Sequence, residues 1–256
     1  MDTILAQLSL SQLVLAFLIA VCGGFVKGVV GFAMPLVLIS GLTTFIAPEL
    51  ALAGLIIPTL VTNAFQALRQ GMPAAWESIR KFQVFLVVGG LALVASAQLV
   101  RVLPQQAMLL MIGIPVVFFA VLQLTGWKFQ LPRRSTGIEA IAGAFAGGIG
   151  GISGIWGPPT VAYLTALGTQ KQDQMRVQGV IYGLGSAALL FAHIGSGVMN
   201  PQTWQLSVAL VMPALLGMRL GGLVSDRIDQ SAFRRATLVV LLIAGANLLR
   251  RAVMGF

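Results

Sequence analysis

Two stretches hold the residue types that could do chemistry. Residues 23–35 read GGFVKGVVGFAMP and residues 147–159 read GGIGGISGIWGPP. Sliding one onto the other by 123 residues superposes Gly24 on Gly147, Gly28 on Gly151, Gly31 on Gly154 and Pro35 on Pro158. Proline lacks a backbone donor and clashes with the preceding turn, while glycine tolerates unusual dihedrals, so each motif predicts an unwound backbone. In a bilayer such a break survives only where it is buried in protein or lines a watery cavity. Proline also suits the first turn of a helix, so Pro35 and Pro158 are expected to start second half-helices with free N–H groups and a positive dipole end. Two such ends meeting near the midplane would hold an anion.

The side chains around the breaks fit that chemistry. Gly28, Gly31, Gly151, Gly154 and Gly157 would offer backbone N–H groups, Ser153 a hydroxyl and Trp156 a wall. Lys27, where the second copy has Gly150, would add positive charge, since intramembrane charges are functional candidates by default. Its plainer reading is a side chain that snorkels to the interface. Asn63 and Gln66 share one helix face, as do Gln178 and Tyr182 in the corresponding later segment; each pair would line the cavity or bond between helices. For Gly143, Gly147 and Gly151 alone, close helix packing is the plainer account. Arg219 is a further cationic candidate, and His193 reads as interfacial. Trp76, Trp127 and Trp204 fall at segment ends and suit an aromatic belt.

The inventory also excludes. All seven acids (Asp2, Glu49, Glu77, Glu139, Asp173, Asp226 and Asp229) fall at segment ends or in loops, so no carboxylate is expected at mid-membrane. One cysteine, Cys22, and one histidine cannot assemble an ordinary zinc or haem site, and no catalytic set, metal or cofactor is expected. The net charge of +9 is spread between apolar segments rather than gathered on a soluble face, which argues against nucleic acid as a partner.

These residues need membrane elements to hold them. Only 9% of the chain is charged and mean hydropathy is +0.94. Polar clusters cut it into eight apolar stretches, near 4–46, 50–68, 82–100, 105–126, 138–168, 174–195, 204–224 and 233–254. No basic leader precedes the first, so no detachable signal peptide is expected. If all eight crossed the membrane, eight basic residues would face one side and six the other. If the first and fifth are hairpins that enter and leave by one face, eleven face one side and Arg101, Arg250 and Arg251 the other. The second arrangement obeys the positive-inside rule. It predicts an all-α integral membrane protein of two inverted repeats of four helical segments, each a broken, re-entrant hairpin plus three transmembrane helices. The repeats are 1–126 and 138–256, joined by a cytoplasmic linker at 127–137. The first stretch is longer than a hairpin needs.

The doubled motifs GGFVKGVVGFAMPLVLI and GGIGGISGIWGPPTVAYL, with the eight-stretch layout, resemble the sulfite exporter TauE/SafE family over nearly the whole chain. The resemblance implies passage of small sulfur-containing or carboxylate anions, such as sulfite or sulfonates, across the bacterial inner membrane. The first motif departs from the glycine-rich pattern at Phe32, Ala33 and Met34, and at Lys27. The expected protein is a multi-pass secondary anion transporter working by alternating access, with basic loops in the cytoplasm. Its partners are the anion and the bilayer, and its glycine-rich faces would suit a homodimer. An anion channel, or a membrane anchor or enzyme subunit of a larger complex, is the alternative.

Overall fold

The computed structural model describes residues 8–126, 130–131, 134–169, 171–224, 227 and 229–254. Asp2, Trp127, Lys128, Arg133 and Asp226 lie outside them, as do the side chains of Pro158, Lys171 and Arg234. Every regular element among the described residues is a helix. The first half contains α1 (Leu10–Val30), α2 (Met34–Leu42), α3 (Pro48–Leu68), α4 (Met72–Lys81), α5 (Gln83–Ala97) with a 3-10 turn at Gln98–Arg101, and α6 (Gln105–Leu124). The second contains α7 (Thr136–Ser153), α8 (Gly157–Ala166), α9 (Lys171–Ser196), α10 (Thr203–Ala209), α11 (Val211–Val224) and α12 (Gln230–Met254).

Each glycine-rich motif becomes a helix break. α1 starts in a capping box, with the Ser9 hydroxyl accepting from the Gln12 N–H and the Gln12 amide oxygen accepting from the Ser9 N–H. It ends at Gly31, whose φ of 83° is the left-handed conformation that stops a helix, with its N–H donating to the Lys27 carbonyl at 2.7 Å. Three residues later α2 begins with Pro35 in its first turn. Gly23 lies against Met34 and Val37, and Gly41 against Ile19, so α2 runs back along α1. The second motif repeats this: α7 stops at Gly154 (φ 71°), whose N–H reaches the Gly150 carbonyl, and α8 starts at Gly157-Pro158.

The arms of the first hairpin are unequal. α1 has 21 residues, about 31 Å at 1.5 Å per residue, which matches a bilayer core of about 30 Å. Its return arm α2 has only 9. The first stretch is thus a full-length helix with a half-length return, rather than two short arms. Six helical segments among the described residues are long and apolar enough to cross a membrane: Leu10–Val30, Pro48–Leu68, Gln83–Arg101, Gln105–Leu124, Asp173–Ser196 and Thr203–Val224. The final helix α12, expected as a span, is not among them.

The halves interlock. α1 packs along α11 of the other half, α7 along α5, α3 along α9 and α6 along α12. The crossings are made by glycine. A Cβ on Gly147 would lie 1.9 Å from the Gly89 carbonyl oxygen, and one on Gly24 would lie 2.0 Å from that of Ala214, so no side chain fits at either. This is the small-residue packing that lets helices approach in lipid. Gly24, Gly28, Gly147 and Gly151 are thus engaged within the chain, whereas Gly90, Gly148 and Gly222 face open space.

α3 and α9 are the most enclosed of the six segments and form the centre. They run antiparallel, since Asn63 reaches Tyr182 and Ser186 while Gln66 reaches Met175. Pro58 cannot donate to the Gly54 carbonyl four residues earlier. Ser207 of α10 supplies the missing donor at 3.3 Å and accepts the Ile57 N–H at 3.0 Å.

Candidate functional site

The two breaks come together at a small pocket between the central helices. Lys27, Phe32, Ala33, Pro35, Asn63, Gly154, Trp156, Gly157 and Tyr182 line it, with Leu36 and Ile155. Neither half-helix start is capped by a side chain. Each therefore leaves the N-terminal donors of a helix without intrahelical partners, the positive end of its dipole. In α8 the first turn is Gly157-Pro158-Pro159, so Gly157 is its only backbone donor. In α2 the residue before the first turn, Ala33, holds φ at 74°, the only non-glycine in the left-handed region among the described residues.

Lys27 sits at the centre of this arrangement. It is only 2% exposed. Its side-chain nitrogen Nζ donates to Thr62 Oγ1 at 3.1 Å and to Asn63 Oδ1. No ion pair to Lys27 occurs among the described residues; the pairs there are Arg134 with Glu139 and Arg176 with Asp173. Lys27 therefore does not snorkel. A cation buried there among neutral partners would be costly, and an incoming anion would relieve that cost.

The other expected residues fall into three groups. Asn63 and Tyr182 are part of the pocket and tie it together: the Asn63 amide donates to the Tyr182 carbonyl at 3.1 Å and to Ser186 Oγ at 3.4 Å, and the Tyr182 hydroxyl donates to the Gly157 carbonyl at 3.2 Å. Trp156, 4% exposed, forms a wall and packs its ring against Gly150 and Gly185. Gly31 and Gln66 sit just beyond, where Gln66 Nε2 donates to the Met175 carbonyl at 3.2 Å and its buried Oε1 has no partner. Gln178 is buried on α9.

Gly28 and Gly151 lie instead in the helix crossings. Gly28 faces the Met218 carbonyl of α11 and Gly151 that of Leu93 on α5. Ser153 serves the break itself, donating to the Ile149 carbonyl at 2.8 Å and accepting the Ile155 N–H at 3.1 Å.

Sequence reasoning passed over Thr62, although a threonine beside Asn63 in an apolar segment was a visible signal. It also misplaced His193. That residue is fully buried, not interfacial: Nε2 meets the Gly151 carbonyl at 2.9 Å and Nδ1 meets Ser196 Oγ at 3.1 Å. Its i, i+3 spacing to Ser196 was the available clue. Arg219 is exposed on α11, and Trp76 and Trp204 are half exposed. Glu139 keeps to a segment end but is buried there, where it pairs with Arg134 at 2.7 Å and accepts the Phe85 N–H in the first turn of α5. No group of His, Cys, Asp and Glu suited to a metal occurs among the described residues.

Residues 16–248 match the family described as sulfite exporter TauE/SafE. No curated protein and no solved structure matches the chain.

Proposed function

Since the chain belongs to the sulfite exporter TauE/SafE family of membrane transporters, we propose that it carries small sulfur-containing or carboxylate anions across a bacterial inner membrane. The anion binds between the two helix breaks. Lys27 supplies the charge, Asn63 and Tyr182 hold the walls in register, and Trp156 closes one side. Gly31, Pro35, Gly154, Gly157 and Pro158 shape the two half-helix starts that face it; Gln66 and Gln178 are outer lining. The observation that carries this reading is a buried lysine, without a carboxylate partner among the described residues, between two helix starts of the same polarity. An anion is the ligand whose charge suits all three.

The mechanism proposed is alternating access between two inverted repeats, 1–126 and 138–256, about the linker at 127–137, with the basic loops in the cytoplasm. In support, Asn63 and Ser186, which correspond under the 123-residue shift, bond to one another, as residues on an axis between two halves would. The exchange of partners between α1–α11 and α7–α5 agrees with it.

Melting of the purified protein in detergent against sulfite, thiosulfate, sulfoacetate, taurine, oxalate, malonate, lactate and phosphate tests the reading. A ligand specific for the folded state stabilises it by about 2.7 kcal/mol at a hundredfold excess over its dissociation constant. Stabilisation by sulfonates or carboxylates, and not by cations, is expected. Stabilisation by cations alone would overturn the anion site.

A further inference from the structure

The hydrogen-bond valence around Lys27 says more than its charge does. A neutral amine has two N–H donors and a lone pair, whereas an ammonium has three donors. Among the described residues two acceptors meet Lys27 Nζ, Thr62 Oγ1 and Asn63 Oδ1. Neither has a proton to offer it: the Thr62 hydroxyl donates to the Pro58 carbonyl at 2.8 Å, and the Asn63 amide hydrogens go to Tyr182 and Ser186. The pair therefore satisfies both donors of a neutral amine. The one remaining position on the tetrahedral nitrogen belongs to the pocket that Lys27 lines.

An isolated charge in such a place costs several kcal/mol, which an opposite charge in contact offsets. The empty pocket thus suits the amine, and the filled pocket suits the ammonium. We propose that Lys27 takes up one proton from solution each time an anion binds, so that anion and proton are carried together. This rests on the anion-site reading above. The proton comes from the aqueous side that the pocket faces and adds to the lone pair, turning the amine into an ammonium. Its third N–H then donates to the anion. On release the anion departs and the proton returns to water, leaving the amine on its two acceptors. Nothing is oxidised or reduced.

Among the described residues no other group is as well set to hold that proton. Among the described residues lining the pocket the only other titratable side chain is Tyr182, whose hydroxyl is engaged with Gly157. On the helices packed against α1, Arg219 of α11 is exposed, Arg251 of α12 donates to the Thr43 carbonyl at the far end of α2, and α3 offers only Glu49 in its first turn. His193 and Asp173, on α9, meet Ser196 and Arg176 rather than Lys27.

The test uses sulfoacetate, whose two acid groups stay ionised between about pH 6.5 and pH 9, so the ligand brings no proton of its own. Affinity is followed across that range by thermal stabilisation, and proton uptake by an indicator dye in weak buffer. The wild-type protein should take up close to one proton per bound anion. Its affinity should fall about tenfold per pH unit on the alkaline side, the slope of one linked proton. Lys27→Arg, which keeps its charge throughout, should bind with neither uptake nor slope. Binding by the wild type that is independent of pH and takes up no proton would overturn proton coupling and leave the anion site standing. Uptake that persists in Lys27→Arg would assign the proton to another group. Absence of sulfoacetate binding at every pH, alongside a melt shifted only by cations, would overturn the site and the coupling together.

Discussion

At the first break Lys27 reaches across to Thr62 and Asn63; at the second, the corresponding positions are Gly150, Gly185 and Ser186. The space that two missing side chains leave there is filled by the ring of Trp156, which lies against both Gly150 and Gly185. The backbones nevertheless match: each first arm ends in a left-handed glycine bonded back four residues, and each return arm starts with proline in its first turn. One copy of the motif is thus occupied by a lysine and the other by an indole. A duplicated scaffold can keep its break geometry, which depends on glycine and proline, while the two fillings diverge. Charge in one half and shape in the other are what we propose the anion meets.

The largest effect expected is on the scaffold that both halves share. Gly147→Leu places a branched side chain where even a Cβ would lie 1.9 Å from the Gly89 carbonyl. Overpacking costs typically about 1–3 kcal/mol, and here the obstacle is backbone that cannot rotate away, so the upper end or loss of folded protein is expected. Gly148→Ala, one residue on and facing open space, should leave the melting temperature nearly unchanged. Equal behaviour of the two variants would mean that α5 and α7 are not in contact.

The next effect separates the two breaks. His193 of α9 holds the Gly151 carbonyl of the second hairpin, so His193→Ala should cost about 1–3 kcal/mol through the polar group left unpaired. Sulfoacetate affinity measured on the folded fraction should change little. Lys27→Met should act on both. In the empty protein it takes the donor from the buried Asn63 Oδ1, so the melt should fall by the equivalent of about 1–3 kcal/mol. Sulfoacetate affinity should fall at least tenfold, about 1.4 kcal/mol. Isothermal titration and melting on the same samples would read both quantities.

The smallest effect concerns Ala33. A non-glycine residue in the left-handed region pays about 1–2 kcal/mol for its Cβ. Ala33→Gly should raise stability by roughly 1 kcal/mol or less, since glycine also loses more freedom on folding. A drop in melting temperature would show that the alanine methyl contributes packing beyond its strain.

Much of this architecture is legible in the sequence. Both breaks were placed by glycine and proline because those residues act locally, through dihedral freedom and a missing donor. The packing role of Gly143 and Gly147 was readable as spacing, but the partner was not. That Gly147 meets Gly89, and that Gly24 meets Ala214 in the opposite half, depends on how the halves interlock. His193 was misjudged for a related reason. A histidine near a segment end suits an interface unless a carbonyl is presented to it, and the carbonyl comes from Gly151, 42 residues away. The first stretch showed its excess length but not its division into a long arm and a short return. That division is set by where Gly31 stops α1 and by the contact of Gly41 with Ile19.

The most direct test of the proposed site is exchange of labelled sulfoacetate by protein reconstituted into liposomes, comparing wild type with Lys27→Met. Saturable uptake, accelerated by unlabelled sulfoacetate inside the liposome and reduced at least tenfold in the folded variant, is predicted. Equal exchange by the two proteins would contradict a site built on Lys27.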